Sequence, residues 1–112
     1  MKKIIIIMLL CVLTSGCAVS TKTKLEKILE RNNYIIVDVR TSEEYYQARL
    51  KDSINIPYDQ INDKIDLDKD KPILVYCQSG NRSKIAYEKL EDLGYKVYDL
   101  GAFGEIDLPH EK

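Results

Sequence analysis

The chain has 112 residues, a length that allows one domain. Apolar residues make up 45% and charged residues 31%, the balance of a soluble globular protein rather than a disordered or multi-span one. The formal net charge of -1 weighs against nucleic-acid binding, which usually shows a basic excess. The 3 Cys and 1 His cannot by themselves build a tetrahedral zinc site with an open position, so neither a metal nor a cofactor is implied. No two cysteines stand at C-x-x-C spacing, which excludes a thioredoxin-type redox pair.

Residues 1–16 have the pattern of an export signal. Lys2 and Lys3 supply the positive start, and Ile4 to Leu13 is an unbroken apolar run. That run is shorter than the roughly 20 residues a membrane-spanning helix needs. Thr14-Ser15-Gly16 puts small residues before Cys17, and the arrangement resembles a bacterial lipobox. Thr14 stands where that pattern usually has Leu, with Leu13 one place further back. The expectation is a signal peptide over 1–16, a lipidated Cys17 followed by a polar tether over 17–22, and a folded domain over 23–112. The mature protein would then be exported and held in the cell envelope by its lipid. With Cys11 removed and Cys17 acylated, Cys77 would be the sole free thiol, and no disulfide could form within the chain.

Along the domain, Thr23 and Glu26 have capping-box spacing, and Leu25, Ile28 and Leu29 repeat at helical spacing up to Asn32-Asn33. Tyr34-Ile35-Ile36-Val37 is a β-branched run expected as a buried strand, with Asp38-Val39-Arg40 at its carboxyl end. Thr41-Ser42-Glu43-Glu44 opens a second helix, expected to reach Leu50. Ser53 to Ile56 is a short strand ended by Pro57, and Tyr58 to Ile65 is expected as one short helix. The charged turn from Asp66 to Lys71 precedes the clearest strand, Pro72 to Tyr76, followed by Cys77. From Arg82 to Leu93, Ile85, Ala86, Leu90 and Leu93 are expected on one buried helical face, with Gly94 as the C′ residue. Lys96 to Leu100 is the last strand. Alternating strands and helices predict an α/β domain with a mainly parallel sheet. Sites in such sheets lie beyond the carboxyl ends of strands, where Asp38, Arg40 and Cys77 fall.

The segment Cys77-Gln78-Ser79-Gly80-Asn81-Arg82-Ser83 joins a buried strand to a helix. A loop there can turn successive backbone N–H groups inward, and the helix N-terminus adds partial positive charge. Gly80 permits a positive φ. Cys77 at the centre would have its thiolate favoured, with a pKa below the free value of about 8.5. That activates a nucleophile without a neighbouring base, which suits a chain whose one His, His110, lies in the tail. Arg82 could hold an anionic substrate or brace the loop through carbonyls or a carboxylate. Ser79 could donate to the bound group, and Ser83 could do so or cap the helix.

Asp38-Val39-Arg40 with Glu43-Glu44-Tyr45, Ile54-Asn55-Ile56-Pro57, Tyr76 to Ser83, Leu93-Gly94-Tyr95 and Asp99-Leu100-Gly101, in this order, resemble the single-domain rhodaneses. The resemblance implies a five-stranded, mainly parallel sheet flanked by helices on both faces. It implies a thiosulfate sulfurtransferase in which Cys77 carries a persulfide, with Gln78, Ser79, Gly80, Asn81 and Arg82 around the substrate and Asp38, Arg40 and Ser83 organising the site. A small thiosulfate-like anion would supply sulfur, and a thiophilic acceptor would take it. Ala48-Arg49 departs from the Gly-His usual before the second strand, and Gly101-Ala102-Phe103 is a looser match. Two other classes stay open: a non-catalytic rhodanese-like module that binds a partner or senses sulfide, and a phosphatase or arsenate reductase. Only four residues separate Cys77 from Arg82, one fewer than in phosphatase loops.

Overall fold

The computed structural model describes residues 23–112. The expected signal peptide, the lipidated Cys17 and the tether lie outside the described residues. The chain divides into two units at the Arg31–Asn32 junction. The described part of the first is helix α1 (Lys24–Arg31). Its start follows the sequence: the Glu26 N–H donates to Thr23 Oγ1 at 3.2 Å. Among the described residues, no helix is long and apolar enough to cross a membrane.

The second unit runs β1 (Ile35–Asp38), α2 (Ser42–Gln47), β2 (Arg49–Leu50), β3 (Ile54–Asn55), β4 (Ile73–Cys77), α3 (Asn81–Asp92), β5 (Val97–Ala102) and β6 (His110–Glu111). Its main sheet has the order β3-β1-β4-β5, with every pair parallel. All five residues of β4 are buried, as expected for a continuous apolar run in a central parallel strand. Val37, Val75 and Val97 on the strands meet Ala86 and Leu90 of α3 in the core. The α/β class is as the sequence indicates, but among the described residues the sheet has four strands rather than five. A separate antiparallel pair, β2 with β6, completes the strand set.

Local differences from the sequence reading have physical causes. Helix α2 opens with a full capping box between Thr41 and Glu44. It stops at Gln47 rather than Leu50, because Ala48 turns extended (φ -168, ψ 144) and Arg49–Leu50 pairs with His110–Glu111. The expected helix over Tyr58 to Ile65 is only a 3-10 turn, Tyr58–Gln60, after which Ile61 drops into the core. On α3 the buried stripe is Ser83, Ala86 and Leu90, while Ile85 is 43% exposed. One step of 100° along a helix separates Ile85 from Ala86, and only Ala86 is in register with the stripe. Gly94 follows α3 as expected of a C′ residue, its N–H donating to the Glu91 carbonyl at 2.9 Å.

An irregularity in the β4–β5 ladder bears on the site. Val75 pairs with Asp99 but Tyr76 pairs with Gly101, so Leu100 is an extra residue. Gly101 sits at φ 84, a conformation that a Cβ would strain. Such bulges re-aim the chain that follows. Here the following Phe103 stacks on Tyr76 at 5.7 Å and lies 4.5 Å from the Arg40 guanidinium.

Candidate active site

Strand β4 delivers Cys77 to the carboxyl edge of the sheet, and α3 begins four residues later. The turn between them contains Gly80 at φ 100, ψ -13, directly before the helix. Nothing lies within 4 Å of the Cβ that an alanine would add there, so backbone conformation and not space selects glycine. In this turn the Gly80 N–H donates to Cys77 Sγ at 3.0 Å.

Cys77 is 0% exposed, with core residues on one side and the loop on the other. Burial alone would push its thiol up, since it disfavours the charged form. The balance nevertheless runs downward. The Ser83 hydroxyl and the backbone N–H groups of Ser83, Gly80 and Ser79 all favour the thiolate. The Ser83 hydroxyl also reaches the Gly80 carbonyl at 3.1 Å. Its single hydrogen can serve either acceptor, so Ser83 either ties the loop or donates to the sulfur.

Two ion pairs fasten this loop. Arg40 is buried against Asp38, at 3% and 0% exposure, with Nε 3.0 Å from both carboxylate oxygens and Nη2 2.6 Å from Oδ2. Its remaining nitrogen, Nη1, donates to Gln78 Oε1 at 3.0 Å, and Nη2 also donates to the Ala48 carbonyl at 2.5 Å. Burial opposes the guanidinium charge, and Asp38 more than restores it, so the Arg40 pKa is raised. Arg82, one residue into α3, holds Glu44 of α2 in a fork: Nη1 to Oε1 at 2.8 Å and Nη2 to Oε2 at 3.0 Å. Arg82 is thus spent on a carboxylate and braces the first turn of α3 against α2. The Arg82 hydrogen bonds, helped by Thr41, hold the Glu44 carboxyl at about 2.

Tyr76 closes the floor. Its hydroxyl accepts from the Leu50 N–H at 3.0 Å, and burial pushes its pKa up to about 12. A phenol held there stays protonated and serves packing, not proton transfer. Among the described residues, no group of three or more His, Cys, Asp or Glu side chains is placed to hold a metal.

The structure therefore brings Cys77, Gln78, Gly80, Arg82, Ser83, Asp38 and Arg40 into one connected cluster, while the Ser79 and Asn81 side chains face solvent. The sequence places Glu44 and Phe103 within motifs but does not mark either as a site residue. Glu44 carried a visible role as a capping residue, and that masked its use as the partner of a residue 38 positions away.

A family model, the rhodanese-like domain, matches residues 21–103. The thiosulfate sulfurtransferase PspE of Escherichia coli (strain K12) is 35% identical over 80 residues, covering 68% of this chain and 77% of that protein. The putative sulfurtransferase YtwF of Bacillus subtilis (strain 168) is 31% identical over 83 residues, covering 73% and 81%. Among solved structures, a rhodanese with anions from E. coli superposes with a TM-score of 0.65 at 32% identity, covering 70% of this chain and 98% of that one. Longer curated relatives also match, and the chain spans only 13% to 21% of their lengths. The chain belongs to the rhodanese-like sulfurtransferase family.

The Glu44–Arg82 fork has a pH signature. The folded carboxyl lies below its unfolded value of about 4.3, so its contribution is present above that pH and is lost as pH falls toward 2. The two side chains are 30% and 27% exposed, so screening limits the contribution to about 1 kcal/mol. Urea unfolding at stepped pH should show a flatter acid limb in Glu44→Gln than in wild type. Identical limbs would mean that the fork adds no stability.

Proposed function

We propose that the protein moves a sulfane sulfur from thiosulfate or a related donor to a thiophilic acceptor through a persulfide on Cys77. The observation that carries this reading is the Gly80 N–H at 3.0 Å from Sγ, together with the lowered thiol pKa that it and its neighbours produce. The Cys77 thiolate attacks the outer sulfur of the donor. A new S–S bond forms, the donor's S–S bond breaks, and sulfite leaves with the electron pair. The N–H groups that faced the thiolate then face the persulfide, and charge stays inside the same ring of donors. An acceptor such as cyanide or a thiol attacks the outer sulfur, and the Cys77 thiolate is regenerated. The N–H groups and the Ser83 hydroxyl that favour the thiolate take the place of a neighbouring general base.

Cys77→Ser should reduce thiosulfate:cyanide sulfur transfer to the uncatalysed rate while the far-UV circular dichroism stays native. Equal activity in wild type and variant would refute the persulfide route, and an inactive, folded wild type would leave a non-catalytic binding module.

The N-terminal pattern supports a second part of the proposal: export, with Cys17 diacylated and the domain held at a membrane of the envelope. Mass spectrometry of the protein from its membrane fraction should find lipid on a chain beginning at Cys17. A mature N-terminus elsewhere would contradict the anchor.

A further inference from the structure

A second concavity lies at the other end of α3 from the cysteine loop. Its volume is about 590 Å³, within the range of small-molecule sites. The 12 residues of α3 put it about 18 Å from that loop, beside the amino-terminal edge of the sheet. Its floor is apolar: Ile65, Leu67 and Leu93 pack half-buried against the core, and Tyr95 is buried beneath them. The Tyr95 hydroxyl accepts from the Leu67 N–H at 3.2 Å, which fastens the floor. Its rim is charged: Asp63, Asp66 and Asp92 are exposed, and among the described residues no ion pair engages any of them. Asp92 ends α3, where the helix carbonyls carry partial negative charge and a carboxylate is disfavoured. The basic residue of that last turn, Lys89, donates to the Tyr58 carbonyl at 3.0 Å. Lys64, Lys71 and Lys96 are close in sequence but do not line the concavity. One cation does enter it. Lys69 Nζ stands 5.2 Å from the centre of the Tyr95 ring and 3.5 Å from where a Cβ at Gly94 would be. The chain's own ammonium thus rests against the aromatic floor, and its single charge leaves the carboxylates in excess.

We infer that this concavity is a binding site for a linear aliphatic polyamine, in which ammonium groups alternate with short methylene runs. Each part of such a ligand has a counterpart. The ammonium groups meet Asp63, Asp66 and Asp92 together with the negative end of α3. The methylenes cover Ile65, Leu67 and Leu93, as the stem of a lysine covers an apolar surface. One ammonium takes the place of Lys69 Nζ over the Tyr95 ring. Among the described residues Lys69 is in no ion pair, so its side chain yields that place to the ligand. A bare inorganic cation satisfies the carboxylates but leaves the apolar floor in water, which makes it the poorer ligand. The site is separate from Cys77, and no bond is made or broken in it.

The test is a titration of the full chain with spermidine, read by isothermal calorimetry and by the methyl NMR signals of Ile65, Leu67 and Leu93. Spermidine should bind and shift those signals. Asp66→Asn with Asp92→Asn should weaken binding about tenfold. Lys69→Met removes the resident cation and should tighten binding several-fold. Asp59→Asn with Glu88→Gln removes the same charge from exposed positions outside the concavity and should change binding by less than about twofold. Absence of binding, shifts confined to other methyls, or weaker binding to Lys69→Met overturns the inference. An equal loss in the two double variants, or displacement of spermidine by an equal concentration of Mg²⁺, also overturns it and marks a diffuse counter-ion effect. A lysine-rich peptide that moves the same methyls when spermidine does not overturns it too, and gives this face to a protein partner.

Discussion

A sulfur atom buried beneath hydrocarbon would ordinarily stay protonated and inert, because desolvation disfavours its anion. In this protein the same sulfur lies where β4 ends and α3 begins, and the N–H groups of the intervening turn face it. Two of them, those of Gly80 and Ser83, are unpaired donors of the kind every helix N-terminus presents. Here the turn directs them at a side chain instead of at water. The thiolate is thus favoured by fixed dipoles already oriented toward the sulfur. Gly80 at φ 100 makes this turn possible, and the buried run of β4 makes its starting point rigid.

The remaining polar architecture keeps that turn in place. Asp38, at the end of the neighbouring parallel strand, fixes Arg40, and Arg40 fixes Gln78 on the entry side of the loop. Glu44, on α2, fixes Arg82 on the exit side. Each clamp joins a residue near the first strand to one near the fourth, so the parallel β1–β4 pairing is what brings the halves together. Both clamps spend their cations internally. The loop is therefore well held at both ends.

Much of this was legible in the residues, for reasons that differ by element. β4 and α3 have strong periodic patterns, and the Gly-containing turn between them follows from its neighbours. The same local chemistry pointed to Cys77. The partnership of Glu44 with Arg82 was not legible, because a capping residue already satisfies its local pattern and sequence alone gives no measure of distance in space. Strands of two residues, such as β2 and β6, have no periodicity to detect. Their pairing is fixed by contacts as remote as Arg49 with Glu111, 3.2 Å apart. The exposed Ile85 shows the other failure, in which apolar character was taken as burial although the helical phase put it outside the stripe.

The claim on which the account turns is that the folded loop ionises Cys77 more readily than the unfolded chain does. Iodoacetamide labelling of the full chain across pH, resolved by mass spectrometry to the Cys77 peptide, measures it directly when repeated in urea. The account requires the folded midpoint to lie below the unfolded one, and Ser83→Ala to move it back upward. A folded midpoint at or above the unfolded value would show that burial outweighs the amide ring, and would contradict the account.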